Sequence, residues 1–369
     1  MSTKLPQVPP EIEALVPYKP GKPIEELERE LGIKGAIKLA SNENPLGPSP
    51  KAVAAMAAAL TNLHRYPDGA GFELRRALAK KFGVAFEQTC IGNGSDEIIE
   101  FLARAYVRPG QEALAAQPSF LMYSKLVQVA GGVLHEVPLK DYCIDLPTML
   151  AAITPATRLV FINSPDNPAG TAVSKDELAW FLDRVPQGVL VVLDEAYIDF
   201  ATDPEVAQGV DFLGHATPVV VMRTFSKSAG LAGLRIGYAL GPVGVIAAFD
   251  RVRQPFNTSS IAQVGALAAL GDGEFWQRTQ ALIARGLQEF YACFAKLGLF
   301  YVPSQTNFVL VKIGQEASAV ADKLLRRGVI IREMTSYGLP EFLRISVGLD
   351  QENARFCAEL SDILRTGAK

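Results

Sequence analysis

Three short apolar runs, each turning polar where it ends, constrain the fold of this chain more than any other feature. They are RLVFINSP (Arg158 to Pro165), GVLVVLDEAY (Gly188 to Tyr197) and TPVVVMRTFSK (Thr217 to Lys227). Nearly continuous apolar runs are typical of strands that a parallel sheet buries on both faces. From Lys51 onward such runs alternate with stretches of helical periodicity. The pattern predicts an α/β fold with a mostly parallel sheet covered by helices.

The polar ends of these runs predict where a ligand binds. In open α/β sheets the ligand lies outside the carboxyl ends of the strands. Asn167, Asp194, Tyr197 and Lys227 stand at or just beyond those ends. We therefore expect their side chains to converge on one crevice.

A second, smaller lobe is predicted after the sheet. An amphipathic stretch from Phe275 to Leu297 indicates a long helix, and TNFVLVKI, GVIIREM and EFLRISVG indicate strands around a further helix near 319–327. A chain of 369 residues also exceeds the usual size of a single core. We expect a large domain over residues 45–265 and a small domain formed by residues 1–44 and 266–369.

Composition excludes several classes of protein. The chain is 49% hydrophobic and 20% charged and has no long apolar run, which is typical of a soluble protein and not of a membrane protein. A net charge of -3 with dispersed Lys and Arg argues against a nucleic-acid partner. The N-terminus contains prolines and acids where an export signal would be apolar, so we expect a cytoplasmic location.

The cysteines and histidines do not predict a metal site or a disulfide. No CxxC pair is present, and the histidines have no acid or cysteine at the spacing of metal ligands. We expect the cysteines to pack as small apolar residues. These residues are Cys90, Cys143, Cys293 and Cys357, and His64, His135 and His215.

Lys227 lies in the segment TFSKSAGLAGLRIGY, directly after a predicted buried strand. Most lysines are solvated surface charges, so its position alone indicates little. Thr224 and Ser226 add hydroxyl donors, however, and Arg235 adds a planar guanidinium that suits a phosphate group. The segment therefore predicts a phosphorylated cofactor beside a lysine able to form a Schiff base.

Asp194 ends a strand in apolar surroundings, where a carboxylate needs a cation or hydrogen-bond donors. A protonated pyridine nitrogen would serve, although an Asp there can also cap a turn or pair with an arginine. Tyr197 and Asn167 can donate to a ring oxygen of the same ligand. Taken separately, a packed tyrosine and an ordinary Asn-Pro turn remain alternatives for these two residues.

The segment GNGSDEIIEFLARAY predicts a glycine-rich turn that enters a helix with Ser95 as its N-cap. Free N–H groups of Gly94, Ser95 and Asp96 would bind a phosphate, the alternative being an ordinary capped helix. Phe120 follows a Pro-Ser turn and would stack on a planar ring, unless it belongs to the core.

Together these segments resemble the fold-type I enzymes that use pyridoxal phosphate (PLP), and most of all the histidinol-phosphate aminotransferases. The resemblance spans nearly the whole chain, in family order. It is carried by LASNENPLGPSP, RYPDGAG, GNGSDE, QPSF, SPDNPAG, LDEAYIDF, TFSKSAGLAGLRIGY, TNFVLVKI, VIIREM and LRISVG. It implies Lys227 as the Schiff-base lysine, with PLP as the cofactor. It also implies cofactor contacts for Ser95, Asp96, Phe120, Asn167, Asp194, Tyr197, Thr224, Ser226 and Arg235.

The resemblance further implies a homodimer in which Tyr66 reaches the cofactor phosphate of the neighbouring subunit. It assigns Tyr18, Arg332 and Arg344 to the phosphate or carboxylate of the substrate, and Asn44 to the entrance. The implied reaction converts L-histidinol phosphate and 2-oxoglutarate into imidazole-acetol phosphate and L-glutamate, as part of histidine biosynthesis.

Three positions differ from the residues that are commonest in the family. Asp166 stands where Asn is usual, Ala169 where Thr is usual, and Phe120 where Tyr is frequent. None of these changes removes a catalytic group, but Phe120 lacks a hydroxyl that could contact substrate. An aromatic-amino-acid aminotransferase and a PLP decarboxylase of the same fold therefore remain alternatives. A PLP-binding regulator is disfavoured because the chain has no room for a DNA-binding domain.

Overall fold

The computed structural model describes residues 6–17 and 21–366. Its α-helices are α1 Pro10–Glu13, α2 Ile24–Leu31, α3 Pro50–Ala59, α4 Phe72–Phe82, α5 Ser95–Tyr106, α6 Met122–Val129, α7 Leu146–Ala151, α8 Lys175–Leu182, α9 Val243–Val252, α10 Ser260–Leu270, α11 Gly273–Lys296, α12 Ala317–Arg326 and α13 Asp350–Thr366. Its strands are β1 Ile37–Leu39, β2 Thr89–Gly92, β3 Glu112–Gln117, β4 Val133–Pro138, β5 Thr157–Asn163, β6 Leu190–Asp194, β7 Val219–Thr224, β8 Gly237–Leu240, β9 Tyr301–Val302, β10 Phe308–Lys312, β11 Val329–Glu333 and β12 Phe342–Ser346.

The larger sheet has seven strands in the order β2-β8-β7-β6-β5-β3-β4. Strands β4, β3, β5, β6 and β7 run parallel to one another, whereas β8 is antiparallel to both of its neighbours, β7 and β2. The three apolar runs form adjacent strands of this sheet, with Asn163 opposite Asp194 and Asp194 opposite Met222. The predicted α/β class and the mostly parallel sheet are confirmed.

Helices cover both faces of this sheet, as the continuous apolar runs predicted. Along β5, Val160 and Ile162 belong to one apolar cluster, whereas Leu159 and Phe161 belong to another on the opposite face. All four side chains are buried. Each such side chain contributes about 1.5–3 kcal/mol through its removal from water, so β5 is stabilised from both sides.

The smaller sheet has five strands in the order β1-β11-β12-β10-β9. Helix α11 is the predicted long helix, and β10, α12, β11 and β12 follow it in the predicted order. Strand β1 comes from the N-terminal region and pairs in parallel with β11, with Ile37 opposite Val329. The domain limits at residues 44 and 265 stay a prediction. Among the described residues, no helix is both long and apolar enough to cross a membrane.

Candidate active site

A cavity of about 220 Å³ opens at the carboxyl ends of β5, β6 and β7. The four residues expected to converge there all line it. So do the other residues to which the family resemblance assigned cofactor contacts within one subunit. The predicted residues in its wall are Ser95, Asp96, Phe120, Asn167, Asp194, Tyr197, Thr224, Ser226, Lys227 and Arg235.

Lys227 lies three residues beyond the end of β7, and its amine faces the interior of this cavity. The Nζ atom donates to the backbone carbonyl of Ser41 at 3.3 Å and lies 5.6 Å from the centre of the Tyr197 ring. Burial, assisted by the positive charge of Arg344, lowers the pKa of Lys227 to about 8. An appreciable fraction of this amine is therefore neutral near pH 7, as a nucleophile or a base requires.

Asp194, the last residue of β6, is buried at the floor of the cavity. It accepts hydrogen bonds from the Tyr123 hydroxyl at 2.6 Å and from the backbone N–H of Ala196 at 3.2 Å. Burial raises the pKa of Asp194 to about 6, although the bond from Tyr123 opposes the shift. Both donors are uncharged, so a cationic ring nitrogen facing the cavity would complete the surroundings of this carboxylate.

Tyr197 is held by Asn42, a residue that the sequence analysis did not single out. The Asn42 side-chain amide donates to the Tyr197 hydroxyl at 2.9 Å, and the Asn42 backbone N–H donates to Ser346 Oγ at 2.9 Å. Burial raises the pKa of Tyr197 to about 12, which keeps its phenol protonated. The Tyr197 hydroxyl therefore remains available as a hydrogen-bond donor toward a ring oxygen.

Two arginines form a cationic side of the site. Arg332 and Arg344 stand opposite each other on β11 and β12, and both line an adjoining cavity of about 120 Å³ with Lys227. Arg344 donates to Asn167 Oδ1 and, at 3.0 Å, to the Ala40 carbonyl. Its Nε has no hydrogen-bond partner among the described residues.

The wall of the larger cavity contains a further cation and several hydroxyl groups. Arg235 donates to Asp96 Oδ2 at 3.2 Å and to Ser226 Oγ at 3.5 Å. The Thr224 hydroxyl donates to Ser226 Oγ at 2.9 Å. A guanidinium with two neighbouring hydroxyls and a helix N-terminus suits a phosphate group.

The prediction that Ser95 is the N-cap of α5 is wrong. Ser95 is the first residue of the helix, and Gly94 is the N-cap, with φ at +77°. A Cβ atom on Gly94 would lie 2.5 Å from an Arg235 side-chain nitrogen. Glycine suits the cap because residues with a Cβ rarely adopt this φ, and a larger residue would in addition displace the Arg235 guanidinium.

Asn44 and Tyr66, two further predicted residues, lie outside the larger cavity. Asn44 is buried, and its side-chain amide donates to the Ser228 carbonyl at 2.9 Å and to Thr279 Oγ1 at 3.2 Å. Tyr66 lies on the surface with 83% of its area exposed. Tyr18 falls outside the described residues.

Comparisons with known proteins show the family to which this chain belongs. The family model for class I and II aminotransferases matches residues 34–360. The chain is 48% identical over 357 residues to histidinol-phosphate aminotransferase 2 of Pseudomonas fluorescens, and the alignment covers 96% of each protein. It is 49% identical over 360 residues to a histidinol-phosphate aminotransferase of Methylobacillus flagellatus, and this alignment covers 97% of each protein.

Solved structures show the same fold. The structure of histidinol-phosphate aminotransferase from Sinorhizobium meliloti, a complex with pyridoxal-5'-phosphate, superposes with a TM-score of 0.90. It is 32% identical and covers 99% of this chain and 100% of its own. A Thermus thermophilus aspartate aminotransferase mutant superposes with a TM-score of 0.81 at 26% identity, covering 96% of this chain and 99% of its own. The chain therefore belongs to the class I and II aminotransferases, among the histidinol-phosphate aminotransferases of that family.

Proposed function

We propose that this protein uses PLP to transfer an amino group from L-histidinol phosphate to 2-oxoglutarate, a step of histidine biosynthesis. The single observation that carries the proposal is the placement of Lys227, whose buried amine shares one cavity with Asp194 and Arg235. This arrangement presents an amine, a carboxylate and a phosphate-binding cation to one flat ligand. The names of the relatives favour histidinol phosphate over an aromatic amino acid as the amine substrate.

The residues of the cavity fit PLP at each of its polar groups. Asp194 has no cationic partner within the described part of the chain and would pair with the ring nitrogen, while Tyr197 would donate to the ring oxygen. Arg235 and Ser226 would hold the phosphate, and Phe120 would lie against the ring. When bound, PLP supplies an electron sink that stabilises negative charge on the substrate Cα.

Lys227 has two tasks in this proposal. Its neutral amine would bond the cofactor covalently until the substrate amine replaces it, and the Nζ thus freed would take the proton from the substrate Cα. Both tasks require an unprotonated amine, and burial of Lys227 favours that form near neutral pH. Asp194 would stay ionised while it pairs with a cationic ring nitrogen, because a nearby positive charge favours the ionised form of a carboxylate.

Arg332 and Arg344 would bind the anionic group of each substrate in turn. The phosphate of histidinol phosphate and a carboxylate of 2-oxoglutarate both accept hydrogen bonds from a guanidinium. Both arginines line the adjoining cavity together with Lys227. Arg332 and Arg344 can therefore bind the amine substrate and the 2-oxo acid one after the other.

We also propose that the protein is a cytoplasmic homodimer and that Tyr66 contacts the cofactor phosphate of the neighbouring subunit. Tyr66 and Phe256 form an exposed aromatic pair, and Leu60, Leu63 and Phe72 are exposed nearby in the sequence. Exposed apolar residues of this size are typical of an interface. A second copy of this chain would cover them.

A single-turnover absorbance experiment tests the reaction. PLP-loaded protein is mixed separately with L-histidinol phosphate, L-glutamate and L-phenylalanine, and the visible absorbance of the cofactor is followed. We expect fast conversion with the first two amines and slow conversion with phenylalanine. A preference for phenylalanine would overturn the proposed substrate, whereas full turnover by Lys227→Ala would overturn the proposed role of the lysine.

A further inference from the structure

The rings of Tyr66 and Phe256 form a stacked pair on the protein surface. Their centroids are 4.8 Å apart and their planes differ by 19°. Tyr66 is 83% exposed and Phe256 is 45% exposed, so within one subunit the Tyr66 ring has little support apart from this stacking. Phe256 has no polar group in its side chain, and it can act on a neighbouring ring only through contact.

The backbone holds Phe256 in an unusual conformation. Its φ is +56°, a region that bulky residues rarely adopt. Arg253 donates to the Gly69 carbonyl at 2.7 Å and to Asn257 Oδ1 at 3.3 Å, which ties the segment before Phe256 to the segment after Tyr66. A Cβ on Gly69 would lie 3.3 Å from the Phe256 ring, so that ring lies close against the Gly69 backbone.

The residue after Phe256 connects this pair to the phosphate end of the site. Asn257 donates to Glu97 Oε2 at 2.6 Å, and the same Glu97 oxygen accepts the backbone N–H of Asn93. Asn93 directly precedes Gly94, the N-cap of α5. The loop that carries Phe256 is therefore fixed to a rigid part of its own subunit.

We infer that Phe256 is a positioning residue whose ring holds Tyr66 in the orientation with which Tyr66 contacts the neighbouring subunit. The inference rests on the proposed homodimer with shared sites. A side chain that is already oriented loses less conformational freedom when it binds. Phe256 therefore strengthens cofactor binding in the partner subunit without contacting the cofactor.

Measurements of cofactor affinity and of kcat/KM test the role of the ring. An aromatic pair contributes about 0.5–1.5 kcal/mol, so we expect Phe256→Ala to weaken PLP binding by up to about tenfold and to lower kcat/KM. Phe256→Tyr keeps the flat ring and should restore both values, whereas Phe256→Leu keeps apolar bulk and should not. Full PLP affinity in both Phe256→Ala and Phe256→Leu would overturn the inference.

A double-mutant cycle separates action through Tyr66 from a general structural role. If Phe256 acts only through Tyr66, adding Phe256→Ala to Tyr66→Ala leaves the PLP dissociation constant unchanged. A further loss would mean that the ring acts elsewhere. Sedimentation of Phe256→Ala and Phe256→Leu should show intact dimers, and a monomer for both would show that Phe256 serves assembly instead.

Hybrid dimers test whether the effect crosses the subunit interface. One subunit carries Lys227→Ala with Phe256 intact, and the other carries Phe256→Ala with Lys227 intact. The site with the intact Lys227 then receives Tyr66 from the subunit in which Phe256 is also intact. We therefore expect wild-type kcat/KM and PLP affinity at that site. A hybrid as defective as the Phe256→Ala homodimer would contradict the inference.

A second hybrid, in which Tyr66→Phe replaces Phe256→Ala, distinguishes the role of Phe256 from the sharing of sites between subunits. If its defect is rescued but that of Phe256→Ala is not, the inference about Phe256 fails while the shared site stands. If neither defect is rescued, Tyr66 acts within its own subunit and the proposed sharing of sites fails as well.

Discussion

Tyr123 donates a hydrogen bond of 2.6 Å to Asp194 from the helix that packs beside the sheet. The Tyr123 ring is buried and stacks on Phe161 with centroids 4.5 Å apart, so the hydroxyl cannot turn away. This bond stabilises the ionised form of Asp194 against the cost of burial. The tyrosine therefore helps to keep the carboxylate charged.

Replacing Tyr123 with Phe should raise the pKa of Asp194 above its value of about 6. A hydrogen bond to a charged group contributes about 1.5–3 kcal/mol, which corresponds to a shift of about one pKa unit or more. The acidic limb of the pH profile of PLP binding to the apoprotein should move to higher pH. Tyr106→Phe, at the end of α5, should leave the profile unchanged, and an unmoved limb in Tyr123→Phe would refute the prediction.

Gly94→Ala should weaken PLP binding strongly. The added methyl group would lie 2.5 Å from the Arg235 guanidinium, and the positive φ adds about 1–2 kcal/mol of strain. Gly110→Ala is a matched control, since Gly110 has φ at +82° but no atom within 4 Å of the added Cβ. Equilibrium dialysis should show lost affinity only for Gly94→Ala, and equal affinities in both variants would contradict this reading.

Asp166→Asn should change how the stability of the apoprotein depends on pH. Asp166 is completely buried, its Oδ1 has no partner among the described residues, and burial raises its pKa to about 8. Its unfolded value is near 4. The protonated native form is therefore favoured, and the wild type loses stability as the pH rises from about 4 to about 8, with no further loss above.

The Asn side chain cannot ionise, yet its oxygen can accept the bond that Ala169 N donates to Asp166 at 2.8 Å. Urea unfolding should show that Asp166→Asn gains at least about 1 kcal/mol relative to wild type between pH 5 and pH 8. The exposed Asp176→Asn should show a nearly constant difference. A constant difference for Asp166→Asn as well would mean that Asp166 is already ionised at pH 5.

Arg344→Gln should raise the pKa of Lys227. The positive charge of Arg344 lowers that pKa, second only to burial, so its removal makes protonation easier. The rate at which the apoprotein bonds PLP covalently should then reach its midpoint at higher pH than in wild type. Arg332→Gln removes a charge from the adjacent strand and should shift the midpoint less; an equal or larger shift there would show that Arg344 has no special effect.

The sequence predicted the strands that end at the site because their apolar runs are long and their polar ends abrupt. It also predicted that Asn167, Asp194, Tyr197 and Lys227 line one cavity, since parallel strands bring their carboxyl ends together. Tyr123 was not predicted, because it lies 71 residues from Asp194 and its helix shows only an ordinary apolar face. Only the packing of α6 beside the sheet shows that its hydroxyl reaches the carboxylate.

Asn42 escaped prediction for a related reason. Strand β1 is three residues long, too short for a reliable pattern, and its partner β11 lies near the other end of the chain. The predicted cap at Ser95 failed because helix-start preferences describe local hydrogen bonds. They do not include the Arg235 side chain that occupies the space beside Gly94.

The pairing of β1 with β11 has a consequence for synthesis on the ribosome. Two residues just after β1 contact the site. The Ser41 carbonyl accepts a hydrogen bond from the Lys227 amine, and the Asn42 side-chain amide donates one to the Tyr197 hydroxyl. Strand β1 has no partner until β11 has been translated. Lys227 is therefore translated well before β11 can fix Ser41 and Asn42 beside it. The site is completed only when the last part of the chain leaves the ribosome.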